Sequence, residues 1–244
     1  MDSRVKQALI LVGGKGTRLG NLTSKTPKPM LCVGGRPFLE YVILNLKISG
    51  INKIILSAGY LPDKITDFFH DGYDDEIEIQ YICEDSPAGT GGALKFASEK
   101  LDKRFLVLNG DTLFDINYLD LALLQFSTDS LASIALRHTD NASQYGSVFL
   151  NGTNIEGFHE KANVGPAVIS GGVYVMQKDV LDLLPSGASS IENDLFPLLT
   201  KIRRLTGKVY EGFFIDIGLP ETLKKGDIDV PKWYQEKLKI MIKS

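Results

Sequence analysis

Three glycines, Gly13, Gly14 and Gly16, are interleaved with Lys15 and followed by Thr17 and Arg18, directly after the five apolar residues 8–12. Glycine lets backbone amides approach a ligand closely and the cations oppose negative charge, so the segment is suited to cradling a polyphosphate. Its spacing excludes two common phosphate loops. A dinucleotide fingerprint running through Gly14 and Gly16 needs a third glycine where Leu19 stands, and the Gly-Lys-Ser/Thr triplet of ATPase-type loops occurs nowhere. Further on, Lys28 stands between Pro27 and Pro29, which biases Thr26 and Lys28 towards extended backbone and presents the ammonium on a stiff support. Carboxylates follow apolar runs at Asp111, in LVLNGD, and at Asp216, in FFID, where each could hold a magnesium ion while leaving positions for phosphate oxygens. Asp115 and Asp194 are weaker competitors for that role. His70, His138 and His159 fall in no pattern that suggests a nucleophile or a zinc site.

These groups need elements to aim them. VKQALILV, KIILSAG and RFLVLNG are short apolar runs ending at or before glycine, as strands buried on both faces are. Between them, PFLEYVILNLKISG opens on proline and closes on glycine like a helix, and PDKITDFFHDG puts Ile65, Phe68 and Phe69 on one helical face. EIEIQYI alternates like a half-exposed strand, and GGALKFASEKL reads as a helix. This cadence over the first 115 residues predicts a Rossmann-like α/β fold with a mixed, mostly parallel central sheet and helices on both faces. From Leu131 to Met176 the segments LASIALRH, YGSVFL, NIEGFHE and AVISGGVYVM are strand-like with no helix between them, which predicts an antiparallel addition. Helices are expected to return at KDVLDLL, IENDLFPLLTKI and VPKWYQEKLKIMIK. In open sheets of this kind ligands bind beyond the carboxyl ends of the strands, where the glycine segment and Asp111 both fall.

With 244 residues, 43% of them apolar, the chain can bury a proper core, and no linker or repeat divides it. A single domain over 1–244 is expected, with a first part at about 1–115, a second at about 116–222 and a C-terminal helix at about 230–243. The 27 basic and 30 acidic residues leave a formal charge of −3 without a basic cluster, so nucleic acid is not an expected partner. Cys32 and Cys83 lack C-x-x-C spacing and are expected to be small buried residues in a reducing compartment. The apolar run before Gly13 falls short of a signal-peptide core or a membrane span, which points to the cytoplasm. Oligomeric state is left open, a homo-oligomer included.

GGKGTRL followed by PKPM, and then SPAGTGGAL, VLNGDT, YGSV, HEK, GGVY and FIDIGLPE in that order, resembles the signature of the sugar-1-phosphate nucleotidyltransferases. Those enzymes join a nucleoside triphosphate to a sugar 1-phosphate and release pyrophosphate. Within the family the segments look most like D-glycero-α-D-manno-heptose 1-phosphate guanylyltransferases, with mannose 1-phosphate guanylyltransferases close behind. The resemblance implies a catalytic set of Arg18, Lys28, Asp111 and Lys161, and a magnesium cofactor on Asp111 and Asp216. It further implies nucleotide contacts from Val12, Gly13, Gly14, Lys15, Gly16, Thr17, Arg18, Lys28, Glu84, Gly89 and Thr90, and sugar contacts from Asn109, Gly146, Glu160, Lys161 and Gly172. It makes the part at about 1–115 nucleotide-binding and that at about 116–222 sugar-binding.

The implied chemistry is an encounter of two anions. A phosphate monoester is largely ionised at neutral pH, with a second pKa of about 6, so no general base is needed and catalysis consists of neutralisation and alignment. Glu84 could accept the two parallel donors of guanine, which favours GTP over UTP or dTTP, or could only cap its loop. Ser170 stands where heptose enzymes often carry asparagine, so another hexose 1-phosphate is kept as an alternative acceptor, with GTP, UTP or dTTP as donor. A non-catalytic nucleotide-sugar sensor could have lost Arg18, Lys28 or Asp111; all three are present. The implied role is to supply an activated sugar for surface glycan assembly.

Overall fold

The computed structural model describes residues 5–73, 76–84, 87–143, 145–159 and 165–243. In chain order it runs through β1 (Gln7–Leu11), β2 (Cys32–Val33), β3 (Arg36–Pro37), α1 (Phe38–Ile48), β4 (Lys53–Ala58), α2 (Asp63–Phe69), β5 (Gly72–Tyr73) and β6 (Ile77–Cys83). Next come α3 (Gly89–Phe96), β7 (Arg104–Asn109), β8 (Thr112–Phe114), α4 (Tyr118–Ser127), β9 (Ala132–Thr139), β10 (Ser147–Asn151), β11 (Asn154–His159) and β12 (Ala167–Gln177). The remainder is α5 (Phe196–Lys201), β13 (Leu205–Val209), β14 (Phe214–Asp216) and α6 (Pro220–Lys243).

Ten strands form one sheet in the order β10-β11-β13-β9-β12-β7-β1-β4-β6-β5. The block β7-β1-β4-β6 is parallel, as its continuous apolar runs require, and its carboxyl ends therefore open on the same edge. Antiparallel pairing begins where β12 meets β7 and continues through β9, so the addition expected after residue 131 is present. One feature departs from that expectation: β13 returns late in the chain to lie parallel to β9, between it and β11.

Alternation along each strand divides the core in two. Ala8 and Ile10 of β1, Ile54 and Leu56 of β4, and Leu106 and Leu108 of β7 pack in one cluster with α1, α2, α4 and α6. Leu9, Ile55, Phe105 and Val107 pack on the opposite face, where α3 supplies Leu94 and α5 supplies Phe196 and Leu199. Each such side chain contributes about 1.5–3 kcal/mol by leaving water, which makes this double-sided burial the main support of the sheet.

Several local expectations are corrected. Phe68 is 46% exposed while Ile65 and Phe69 are buried, because at about 100° per residue Phe68 and Phe69 fall on opposite sides of Ile65 and only the Phe69 side turns to the core. KDVLDLL forms a 3-10 helix, and the expected helix at 191–202 is split into a π turn over Ile191–Leu195 and the short α5. Cys32 and Cys83 are both free and exposed, since each falls on the outward phase of its strand.

The last helix starts at Pro220, ten residues before the expected start at 230, and carries Pro231 in its interior. The β2–β3 hairpin accounts for that proline. Its two-residue turn places Gly34 at φ 57 and Gly35 at φ 86, the pair of positive angles that a type I′ turn demands. The Gly34 N–H donates to Asp227 one helical turn before Pro231, at 3.1 Å. The Pro231 ring lies so close that a Cβ on Gly34 would fall 2.1 Å from its Cγ. Further along α6, Trp233 donates to Asp115 at 2.9 Å and Lys237 pairs with the same carboxylate at 2.7 Å, which anchors the helix beside β8.

Gly34→Ala is expected to lower stability by roughly 1–3 kcal/mol, through a strained positive φ together with overpacking against Pro231. Chemical denaturation monitored by Trp233 fluorescence tests this, and an unchanged midpoint would refute the hairpin contact.

Candidate active site

The glycine segment leaves β1 and immediately crosses the exit of β4, where a Cβ on Gly13 would sit 3.0 Å from the Gly59 nitrogen. Gly16 takes the left-handed conformation at φ 62 and starts a 3-10 helix over Thr17–Thr23, kinked at Gly20. Its bare Cα is matched by Lys28 and Thr23, each of which would lie 3.0 Å from an added Cβ, so the lysine stem packs on the glycine turn itself. The Thr23 hydroxyl donates back to the Gly16 carbonyl at 3.1 Å. Lys28 is not extended as its prolines suggested. It opens a 3-10 turn, with Leu31 N–H donating to its carbonyl at 3.1 Å, and Pro29 fits because the second position of such a turn needs no donor.

Asp111 and Asp216 are separated by 105 positions (216 − 111), and the two-stranded ladder of β8 with β14 closes that gap. Asp216 is in register with Thr112, and the Ile217 N–H donates to the Asp111 carbonyl at 3.0 Å. The Lys28 ammonium, only 14% exposed, bonds Asp111 and lies 3.9 Å from Asp216. Burial raises the Asp216 carboxyl above its ordinary pKa and the charge on Asp111 adds to this, while Lys28, the Gly218 N–H and Arg18 pull it back. Gly218 has no room for a side chain, because a Cβ there would be 2.7 Å from Asp216 Oδ1 and 3.1 Å from Lys28 Nζ. The weaker carboxylate candidates are used elsewhere: Asp115 by Trp233 and Lys237, and Asp194 as acceptor for the Ser190 N–H at 2.7 Å. Among the described residues no group of three or more His, Cys, Asp or Glu gathers round one point. A pair of carboxylates with a surplus of negative charge fits a hard divalent cation that completes its shell with water and phosphate oxygens.

A cleft of about 680 Å³ runs from this charged node along the glycine segment. Val12, Gly13, Gly14, Lys15, Gly16, Thr17, Arg18, Lys28, Glu84, Gly89, Thr90, Asn109 and Asp111 all line it, so the expected nucleotide residues are brought together. Glu84 accepts from the Ser57 hydroxyl and from the Ala88 N–H, each at 3.0 Å, and thus organises its own loop while facing the cleft. Thr90 donates to Glu192 at 2.8 Å and accepts from the Ile191 N–H at 2.8 Å.

Gly172, at φ 70 in an irregularity of β12 between Ser170 and Tyr174, lies against Asn109, whose Nδ2 would be 2.9 Å from an added Cβ. Gly146 precedes β10 and faces the His159 carbonyl. Glu160 and Lys161 lie outside the described residues. Tyr145, beside Gly146, has its phenol pushed up to about 12 by burial and then by Asp216, with Arg137 opposing, Asp111 adding and Arg18 opposing.

The nucleotidyl transferase family model matches residues 7–230. The chain belongs to that family. The transferase is 34% identical to a D-glycero-α-D-manno-heptose 1-phosphate guanylyltransferase of Aneurinibacillus thermoaerophilus, over 90% of this chain and 96% of the relative. A protein of the same name from Campylobacter jejuni is 36% identical over 88% of this chain and 96% of its own length. Among solved structures, HddC from Yersinia pseudotuberculosis complexed with GMP-PN superposes with a TM-score of 0.81 at 32% identity, covering 91% of this chain and 98% of that one. The Rossmann-like α/β fold is shared with these neighbours. Among the described residues no helix of the transferase is long and apolar enough to cross a membrane.

Sequence reasoning missed several cleft residues of the transferase. Ser57, Gly59 and Tyr60 follow β4, a strand exit that the carboxyl-edge rule already singles out. Glu192 had no local signal, because IENDLFP looks like any helix start and only the π turn lifts its carboxylate to Thr90.

Gly16→Ala is expected to displace Lys28 and raise the KM of the transferase for its triphosphate by roughly tenfold to a hundredfold, with a far smaller effect on melting temperature. Unaltered kinetics with the alanine in place would show that the lysine does not depend on the glycine turn.

Proposed function

We propose that the transferase moves GMP from GTP onto the phosphate of a sugar 1-phosphate, with D-glycero-α-D-manno-heptose 1-phosphate as the favoured acceptor. A phosphate oxygen of the acceptor forms a bond to the α-phosphorus of the triphosphate, the bond from that phosphorus to the bridging oxygen breaks, and pyrophosphate leaves with the electron pair. The observation that carries this reading is the convergence of Lys28, Asp111 and Asp216 beside the glycine segment, at the edge where the parallel strands end. The guanylyltransferase names of the two relatives support GTP and the heptose.

The residues divide the work by charge. Backbone amides of Gly13, Gly14 and Gly16, together with Lys15 and Arg18, suit the triphosphate, and Glu84 with Thr90 suits the nucleoside. Lys28 neutralises the reacting phosphates, and Asp111 and Asp216 would hold a magnesium ion, which neutralises phosphate charge and serves as a template for in-line displacement. Asn109, Gly146 and Gly172 suit the sugar, with Glu160 and Lys161 completing that side. In this division residues 1–115 serve the nucleotide, with Glu192 and Gly218 also lining its cleft and Asp216 on the metal, and the rest of residues 116–222 serve the acceptor. The product is an activated sugar of the kind consumed by glycan assembly in the cytoplasm.

Pyrophosphate release is the direct test, with each common triphosphate against a panel of sugar 1-phosphates, with and without magnesium. GTP with the heptose phosphate is expected to react fastest and only with the metal. A faster hexose would move the acceptor assignment, and tight nucleotide-sugar binding with no turnover on any pair would replace the enzyme by a sensor. Asp111→Asn is expected to lower kcat by at least about a hundredfold, the scale of removing one transition-state charge contact, while leaving the melting temperature nearly unchanged. Retained turnover would remove the metal assignment.

A further inference from the structure

Arg137 has no role in the scheme above, yet its placement is specific. Its guanidinium lies 4.1 Å from the centroid of the Phe214 ring. Phe214 is itself fixed, edge-on to Phe114 at 5.4 Å. Phe214 and Asp216 are two apart on β14 and so share a face, which brings Arg137 to the side of the strand that presents the Asp216 carboxylate. On the sheet, Arg137 of β9 is in register with Ile169 of β12, and Ile169 with Ser147 of β10. Tyr145 stands two residues before Ser147, among the fields of Arg137, Asp216, Asp111 and Arg18.

The cation is half-buried and poorly compensated. Its Nε donates to the His138 carbonyl at 3.1 Å, and among the described residues it enters no ion pair. Burial lowers its pKa, with Tyr145 and Asp140 opposing, but a guanidinium stays charged. A planar fork whose two terminal nitrogens have no partner among the described residues, set against an aromatic ring, matches the geometry of a phosphate. That phosphate is unlike the donor's, because the cleft beside the glycine segment does not include Arg137.

We propose that Arg137, oriented by Phe214 and flanked by Tyr145, binds the phosphate of the acceptor sugar 1-phosphate, reaching the aspartate pair from the β9 side while Arg18 and Lys28 reach it from the β1 side. This rests on the reading of the protein as a sugar-1-phosphate nucleotidyltransferase. Two anions that repel one another are then each met by their own cation, and the acceptor is drawn to the carboxylate node without displacing Lys28.

Steady-state kinetics of Arg137→Met and Arg137→Lys, run on whichever sugar 1-phosphate the wild type turns over fastest, provide the test. In Arg137→Met the KM for the sugar phosphate is expected to rise roughly tenfold to a hundredfold, the range for losing a charge-assisted contact, with the KM for the triphosphate unchanged. Arg137→Lys is expected to recover part of the loss, since it keeps the charge but not the fork. Thermal melting of both variants guards against misfolding, and calorimetric titration of the sugar phosphate reads binding without turnover. An unchanged sugar-phosphate KM, or a fall in kcat with both KM values unchanged, overturns the proposal and leaves Arg137 as packing for β14. A wild type inactive on every sugar 1-phosphate instead overturns the underlying functional reading, so the two failures are told apart.

Discussion

A single ammonium held between two carboxylates organises this molecule. Lys28 reaches Asp111 and Asp216 from a stem packed on Gly16, so the glycine turn, the β7 exit and the β8–β14 ladder are locked to one another through three charges. The carboxylates outnumber the ammonium, and burial, with the charge on Asp111 adding to it, raises the pKa of Asp216. A partly buried cluster with surplus charge is costly to the fold alone, and under the proposed function a further cation and the phosphates it carries would offset that cost. The site is thus built to be completed by its ligands.

Everything around the node serves to keep it rigid. The parallel block supplies four strand exits on one edge, and α6 braces β8 through Asp115, which receives both Trp233 and Lys237. The β2–β3 hairpin in turn braces α6 at Pro231. A charge site works by preorganisation, and here each charged residue is borne by an element whose own packing is settled elsewhere in the core.

The parts that were legible in the sequence were those with a local cause. Buried parallel strands are continuous apolar runs, so β1, β4 and β7 stood out, and glycines next to cations marked the phosphate loop. The start of α6 was misplaced because a proline inside a helix and a proline at its first turn look the same, and the Gly34 contact that accommodates it lies 197 positions away (231 − 34). Phe68 is not told apart from Phe69 by spacing alone, because both fit the i, i+3, i+4 stripe from Ile65 and only the packing partners decide which of the two is covered. Glu192 and Arg137 carry no local signal, since their positions follow from a π turn and from strand register across the antiparallel half, whereas Tyr145 opens the YGSV segment of the resemblance without a role of its own being implied.

The long strand β12 hydrogen bonds to β7 along its second half and touches β10 near its start, with Gly171 and Gly172 between the two stretches. Asn109 on the β7 side and the Tyr145–Gly146 corner on the β10 side are therefore joined through one strand, which is interrupted by the left-handed Gly172 and a shift of register between Ser170 and Tyr174. The span between the two corners is therefore set by how the backbone passes that irregularity, and a residue inserted or removed there would change it while leaving the pairing on either side in place.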